Sequence, residues 1–365
     1  VAILVALALR WLLFGSRSGV AMRAVVDSRS LARLNGARPT RVSAMAWSLG
    51  SMLAALAGIL IAERLGLEPI SLTFLVVNAY AAAVVGRLSS LTMTAVGAVV
   101  LGLTQAYTQG YLTQDPSWLP DGVALFANLR GVVPVVMLFV VLLLMPNAPL
   151  RTQGIQRSRE LVGRPTVRWS LIGAAVLVAV AGAVSFLLSG SDLLVWGSGL
   201  CFGIIMLSLV PLTGYGGQIS LAQMTFAGLG AYAVATWGDG SLLGIVAAVA
   251  LAGVVGAIVA LPALRLQGIY LALATLAFAF FVERFVFNQR ALFPTTSKPA
   301  ERLRLPGLDL SSDQAYFVFL AVMFAVVGLG VVWLRLSPFG RRLQAMKDSP
   351  AACATLGLNL TRTKL

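Results

Sequence analysis

Apolar residues fill this chain in long, nearly uninterrupted runs that short polar stretches separate. A helix needs about 20 consecutive apolar residues to cross a bilayer, and most of the runs approach that length. The pattern predicts an all-α, polytopic transmembrane protein with about eleven membrane segments. The predicted segments are 1–14, 42–62, 72–86, 91–110, 123–144, 169–189, 193–212, 221–237, 241–262, 268–287 and 314–336.

Some of the predicted segments are too short for a simple crossing. Segments 72–86 and 221–237 are expected to be tilted, broken or re-entrant, which a membrane tolerates only where protein or a cavity satisfies the backbone polar groups. Segment 1–14 begins inside an apolar run without an initiating methionine. We therefore expect a fragment boundary at Val1.

The composition supports a membrane protein and excludes several kinds of chemistry. Apolar residues make up 59% of the 365 residues and charged residues 11%, against about 25% charged residues in soluble domains. There is no histidine, which excludes histidine metal ligands and Ser-His-Asp triads. No P-loop motif for ATP is present. The sequence predicts a non-enzymatic protein without its own ATPase, metal or cofactor.

Basic residues concentrate in alternate loops. The net charge of +14 would suggest nucleic acid in a soluble chain, but here it follows the predicted topology and no nucleic-acid partner is expected. If loops 15–41, 87–90, 146–168, 263–267 and 337–365 share one side, that side holds 18 Lys and Arg and 3 acids, and the other holds 5 and 9. This asymmetry predicts a multi-pass membrane protein with these loops in the cytoplasm.

Two of the basic loops are copies of one design. At a constant offset of 321 residues and without gaps, eight positions are identical: Ser16/Ser337, Gly19/Gly340, Ala24/Ala345, Asp27/Asp348, Ser28/Ser349, Gly36/Gly357, Thr40/Thr361 and Arg41/Arg362. The repeat predicts two related units, 1–145 and 169–365. Between them, residues 146–168 hold five arginines and three prolines and are predicted to form a cytoplasmic linker.

The repeated loop combines a predicted short helix with a glycine stop. Met22–Leu34 is predicted to be one helix that Gly36 ends. Such an element either docks on a soluble partner or lies on the membrane surface and only fixes topology, and the second copy favours docking. The candidate docking residues are Gly19, Ala24, Asp27, Gly36, Gly340, Ala345, Asp348 and Gly357.

A glycine-rich stretch at 212–232 carries several polar side chains into an apolar region. Glycine costs helix stability, whereas a broken helix beside a cavity can present freed backbone groups to a substrate. Close packing of small residues between helices is the alternative. The candidate substrate path is Gly214, Tyr215, Gly216, Gly217, Gln218, Ser220 and Gln223, with Asn78 and Gln105, which otherwise bond between helices.

These residues carry a resemblance to the branched-chain amino acid (Liv-type) ABC transporter permeases. The second permease subunit of that family is similar to GYGGQISLAQMTFAGLGAY at 214–232, LRLQGIYLALATLAFAFFVE at 264–283 and SPFGRRLQAMKDSPAACATLGLNLTRTKL at 337–365. The first subunit is similar to SRSGVAMRAVVDSRSLARLNGARPTRV at 16–42 and AYAAAVVGRLSSLTMTAVGAVVLGLTQAY at 79–107. The chain thus resembles a fusion of the two permease subunits that is truncated at both ends.

The resemblance implies a place in the inner membrane and a set of partners. ABC ATPase subunits would dock on the cytoplasmic loops, and an extracytoplasmic binding protein would deliver the amino-acid substrate to a path between the lipid-embedded units. Permeases of the same fold for sugars or nucleosides are an alternative. Another is a secondary transporter with internal repeats, which would need acids in its spans, where this chain offers Glu283.

Overall fold

The computed structural model describes residues 2–66, 69–111, 129–144, 165–238, 240–263, 266, 268–289, 302–303, 309–360 and 363. Within these ranges the secondary structure is helical and contains no strand, which confirms the predicted all-α class. The chain divides into two compact units, Val1–Gln105 and Ala106–Leu365. Most of the predicted linker 146–168 lies outside the described residues.

The first unit contains two short helices between longer apolar ones. Pro39, whose missing amide hydrogen costs nothing in a first turn, begins the longest helix, and Gly66 at φ +70° follows its end. Gly97 allows a close approach between neighbouring helices, because a Cβ there would lie 2.7 Å from the Ala82 carbonyl oxygen. The helices are α1 (Ala2–Gly15), α2 (Arg17–Asp27), α3 (Arg29–Leu34), α4 (Pro39–Leu65), α5 (Pro69–Val85) and α6 (Leu91–Tyr111), the last of which extends beyond the unit.

The second unit has nine further helices in its described part. Two of them continue as short π-helices, over Val210–Tyr215 and Glu283–Phe287. The helices are α7 (Leu129–Leu144), α8 (Val167–Ser185), α9 (Gly190–Leu209), α10 (Gln223–Trp237), α11 (Leu242–Ala263), α12 (Ile269–Val282), α13 (Asp313–Leu336), α14 (Pro338–Asp348) and α15 (Pro350–Thr355).

Small buried cores hold the second unit together, while its outer faces stay apolar. α8, α9 and α13 meet around Ala181, Leu193, Phe317 and Ala321. On α11, by contrast, Leu243 is 80% exposed. Exposed apolar area costs roughly 25 cal/mol per Å² in water, so faces of this kind are stable in lipid. The chain is therefore a polytopic membrane protein.

The predicted number of eleven membrane segments is not confirmed. Each predicted segment contains a helix, but seven described helices are long and apolar enough to cross a membrane, or eight if α1 and α2, bent by 73°, form one broken span. Helices α5, α7 and α10 have 17, 16 and 15 residues. At 1.5 Å per residue they reach about 23–26 Å, short of the roughly 30 Å hydrocarbon core.

The first repeated loop differs from the prediction in one respect. The single helix expected over Met22–Leu34 is wrong, because the chain is extended at Ser28 (φ −156°, ψ 110°) and forms α2 and α3 instead. The hydroxyl of Ser28 accepts a hydrogen bond from the amide of Leu31 at 3.4 Å, as serine does at the start of a helix. Gly36, at φ +83°, ends α3 as predicted.

Candidate functional site

The glycine-rich stretch begins with a widened helical turn. α9 ends at Leu209 and continues as a π-helix over Val210–Tyr215, with Pro211 near its start. A proline ring clashes with the carbonyl four residues earlier in a regular helix, and a wider turn relieves that clash. π-helical turns inside membrane helices often occur at functional sites. The helix therefore reaches Tyr215 with irregular geometry.

Glycine and threonine close this turn. Gly217 has φ +66°, in the left-handed region that favours glycine. Its amide donates to the carbonyl of Thr213 at 3.2 Å, and the amide of Gln218 donates to the carbonyl of Leu212 at 3.0 Å. The Thr213 hydroxyl donates to the Gln218 carbonyl at 2.9 Å. The interruption expected at Gly216, Gly217 and Gln218 is thus present and held by hydrogen bonds.

The chain then runs to α10 as irregular backbone that a side chain on α12 supports. The amide of Leu221 donates to Thr275 Oγ1 at 2.9 Å, and the same hydroxyl donates to the Ala272 carbonyl at 2.9 Å. Ala222 is fully buried in a cluster with Leu229, Phe278 and Val282. Because backbone at membrane depth must be satisfied by protein or water, Thr275 takes the place of a helical partner.

The residues 210–222 between α9 and α10 are called the break below. The predicted polar side chains lie along this break and at the start of α10. Gln218, Ser220 and Gln223 are half-buried. The Ser208 hydroxyl donates to Gln223 Oε1 at 3.3 Å, which joins α9 to α10 across the break. The Ser220 hydroxyl accepts from the Ala222 amide at 3.3 Å. The stretch therefore presents amide and hydroxyl groups next to an irregular backbone.

The terminal loop, formed by α14 and α15, packs against the break. Tyr215 is buried in one cluster with Leu343, Met346 and Cys353 of that loop. Its hydroxyl donates to the carbonyl of Val331, on α13, at 3.3 Å. The end of the π-helix is thereby part of the same small core as the loop.

Lys347 adds a polar contact at the same place. Its Nζ donates to the carbonyl of Gly214 at 3.0 Å, and its stem lies over Gly217, where a Cβ would be 3.0 Å from Lys347 Cγ. The guanidinium carbon of Arg335 lies 5.9 Å from the centre of the Tyr215 ring, within the range of a cation–π interaction. The break and the loop are therefore in contact through apolar, polar and aromatic groups.

Serine and glycine define the geometry of the terminal loop. Ser337 Oγ accepts from the Gly340 amide at 3.1 Å and begins α14. Ser349 Oγ accepts from the Ala352 amide at 3.3 Å and begins α15. Gly357, at φ +83°, follows the end of α15.

The first repeated loop has the same geometry at the corresponding residues, each 321 positions earlier in the chain. Ser16 Oγ accepts from the Gly19 amide at 3.1 Å and begins α2, and Ser28 begins α3. Gly36 also has φ +83°. The closing bond matches as well, because Ala37 donates to the Ala32 carbonyl at 3.0 Å and Leu358 donates to that of Cys353 at 2.9 Å. The two loops are copies in structure as well as in sequence, apart from Thr361 and Arg362, which lie outside the described residues.

The candidate docking residues fall into two groups. Gly19 and Gly340 are buried, and a Cβ at either would overlap a carbonyl oxygen of the preceding helix, that of Leu13 or Leu334. These glycines allow each loop to turn closely under its helix. The other six are exposed in both loops: Ala24, Asp27 and Gly36, and Ala345, Asp348 and Gly357.

A family model described as branched-chain amino acid transport system / permease component matches residues 1–142 and 191–365. The chain belongs to this family. The match covers both repeated loops and the whole interrupted stretch.

Curated relatives of the permease include two proteins of branched-chain amino acid transport. The chain is 30% identical to the high-affinity branched-chain amino acid transport system permease protein LivM of Salmonella typhimurium. This match covers 55% of the chain and 54% of LivM. The chain is 29% identical to LivH of Escherichia coli over 39% of the chain and 42% of LivH. The autoinducer 2 import system permease protein LsrC of Photorhabdus laumondii is 33% identical over 35% of the chain and 40% of LsrC.

The permease chain spans about half the length of the LivM protein that it matches. No solved structure matches the chain.

The structure brings together some of the predicted path residues and not others. Gly214 to Gln223 form one continuous site in the second unit, whereas Asn78 on α5 and Gln105 on α6, both half-buried, belong to the first unit. Sequence reasoning missed Thr275 and Lys347. The signal for Thr275 was a hydroxyl side chain within the apolar run of α12. The signal for Lys347 was a basic residue at the position where the other loop has Val26.

Proposed function

We propose that the chain is a transmembrane permease component of an ABC importer that moves branched-chain amino acids across the inner membrane, driven by separate ATPase subunits. The observation that carries the proposal is the family match over both units together with the duplicated loop geometry. Relatives named for branched-chain amino acid transport support the substrate class.

The substrate path is proposed to follow the break between α9 and α10. Residues 214–223 have irregular backbone, three half-buried polar side chains and a left-handed glycine. Backbone of this kind lines substrate paths in transporters with discontinuous helices, where it offers dipoles to a charged ligand. An amino acid carries both an ammonium and a carboxylate, and both bind such groups.

The two repeated loops are proposed to dock one ATPase subunit each. Each offers an exposed aspartate and a helix–turn–helix shape, which fits recognition by a groove on a soluble protein. Apolar side chains are also accessible, since Leu34 is 83% exposed and Leu356 is 86% exposed. A helix that only fixed topology would not need the same caps and glycine conformations in two places.

The extracytoplasmic binding protein is proposed to act at the opposite end of α13. That helix has 24 residues between the loop and its start at Asp313, a length of about 36 Å. At the start, Arg302 forms an ion pair with Asp313 and lies 5.5 Å from the centre of the Tyr316 ring. A charged, ordered surface here suits a soluble partner.

Ligand-stimulated ATP hydrolysis in liposomes tests the proposal. The full-length protein is reconstituted with its cognate ATPase subunits and binding protein, and hydrolysis is measured with leucine and with ribose. Stimulation by leucine and its uptake are expected, and ribose serves as the control for a sugar permease. Transport of leucine without ATPase subunits, driven by a proton or sodium gradient, would instead indicate a secondary transporter. In the structure Glu283, the acid such a mechanism would use, lies 3.5 Å from Arg284 as an ion pair.

A further inference from the structure

We infer that Lys347 and Tyr215 fasten the terminal loop to the glycine-rich break so that the two move as one body, a link that the matching loop of the first unit lacks at the corresponding position. The inference rests on the proposed function, since it assigns to one of the two docking loops the task of moving the substrate path. It makes Lys347 a positioning residue.

The first step is the backbone that Lys347 holds. The widened turn shifts the hydrogen bonds at its end. The amide of Gly216 donates to the carbonyls of Pro211 and Thr213, and the amide of Gly217 also donates to that of Thr213. The amide of Gln218 donates to the carbonyl of Leu212. The carbonyl of Gly214 accepts from the Lys347 ammonium. An ammonium–carbonyl bond is stronger than a neutral one, so the loop holds the turn within its π-helical part.

The second step is the apolar contact below it. Tyr215 is only 8% exposed and Met346 2%, and they share a cluster with Leu343 and Cys353. A close-packed cluster of this kind transmits displacement, because its side chains have no free space to absorb it. A shift of α14 must therefore move Tyr215 or open the cluster.

The third step is the fit at Gly217. A Cβ at this position would lie 3.0 Å from Lys347 Cγ and 3.5 Å from Lys347 Cβ. The backbone of the break thus lies directly against the lysine stem. A side chain at 217 would push the two segments apart, in addition to the strain of φ +66°.

The fourth step is the difference between the two loops. Lys347 corresponds to Val26 at the offset of 321 residues. Valine has no hydrogen-bond donor on its side chain, and Val26 is 86% exposed. Since the capping geometry of the loops is the same, the lysine distinguishes one copy from the other, and the link is asymmetric.

Matched substitutions in the two loops test the link. In the reconstituted full-length transporter, Lys347→Met removes the ammonium and keeps an apolar stem, Lys347→Arg keeps a donor, and Val26→Met is the control in the other loop. The readout is the ratio of ATP hydrolysis with and without leucine, with co-purification of the ATPase subunits measured in parallel. We expect Lys347→Met to lower the ratio about three- to tenfold, as the loss of one solvent-exposed hydrogen bond predicts, with the ATPase subunits still bound.

The outcomes separate this inference from the proposed function. Lys347→Arg is expected to retain most of the stimulation and Val26→Met all of it. A ratio in Lys347→Met equal to that of the unsubstituted protein would overturn the inference alone. Absence of stimulation in the unsubstituted protein, with all partners bound, would overturn the proposed function and the inference with it.

A disulfide tests whether break and loop move together. In a protein with Cys201→Ser and Cys353→Ala, the pair Gly217→Cys and Lys347→Cys would have Cβ atoms near the 3.5–4.5 Å of natural disulfides. The reduced pair lacks the lysine and carries a strained side chain at residue 217, so it should be poorly stimulated. Oxidation should raise stimulation above that of the reduced pair by joining the segments again. Each single-cysteine variant should not respond to oxidation. A disulfide that forms but leaves stimulation unchanged or lower would contradict movement as one body.

Discussion

The Thr275 hydroxyl accepts a hydrogen bond from the amide of Leu221 at 2.9 Å. This bond fixes the backbone of the break to α12, at a residue 54 positions further along the chain. Thr275 is buried, so its bond is shielded from competing water. The break is consequently a supported structure with a defined path, and the function proposed for it depends on residues outside the glycine-rich stretch.

Replacing Thr275 should destabilise the second unit. Thr275→Val keeps the shape of the side chain but leaves the Leu221 amide without this partner, which costs about 1–3 kcal/mol. Thermal unfolding of the detergent-purified protein should show a lower midpoint for Thr275→Val and a nearly unchanged one for Thr275→Ser, which retains the hydroxyl. Equal stability of the valine and serine variants would show that the bond contributes little.

Gly217 and Gly214 should respond differently to the same change. Because residue 217 has φ +66°, alanine there must adopt a left-handed backbone, which costs about 1–2 kcal/mol. Its Cβ would also make a close contact with Lys347. A Cβ at Gly214 would meet only Val210 Cγ1 at an ordinary 3.7 Å. We expect leucine uptake to fall much further in Gly217→Ala than in Gly214→Ala, at equal expression. Similar uptake by both variants would contradict the importance of this turn.

The ends of the two loop helices should be equivalent for ATPase binding. Gly36 and Gly357 both have φ +83° with nothing within 4 Å of an added Cβ, so Gly36→Val and Gly357→Val act through backbone strain alone. Each single variant should weaken ATPase co-purification, and the double variant should abolish coupling. Because both glycines lie in loops, detergent-extracted yields should stay constant. Normal transport by the double variant would refute docking at these turns.

Cysteine labelling tests the predicted topology. Single cysteines at Ser28 and Ser349, in a background without Cys201 and Cys353, should be protected from a membrane-impermeant reagent added outside. A cysteine at Ser191, exposed in the first turn of α9, should be labelled. The expectation follows from the charge split of 18 to 3 against 5 to 9. Labelling of only one of the two loops would place the repeats on opposite sides.

The sequence by itself determined the helical class, the position of each apolar segment and the duplication of the loops. Long apolar runs need no distant partner to be recognised, because lipid solvates their side chains and the helix satisfies its own backbone. The loop turns were equally local, since Gly36 and Gly357 end helices through their own backbone freedom. The glycine-rich interruption could be predicted from local composition because glycine's backbone freedom likewise acts at its own position.

The tertiary structure decided what holds the interruption and what touches it. Thr275 supports Leu221 from 54 residues away, and Lys347 reaches Gly214 across 133 residues. Such contacts depend on how helices pack, which no local pattern encodes. The break at Ser28 was also missed, because a serine suits both a helix interior facing water and an N-cap. Its extended backbone between α2 and α3 shows that the cap is the state this chain adopts.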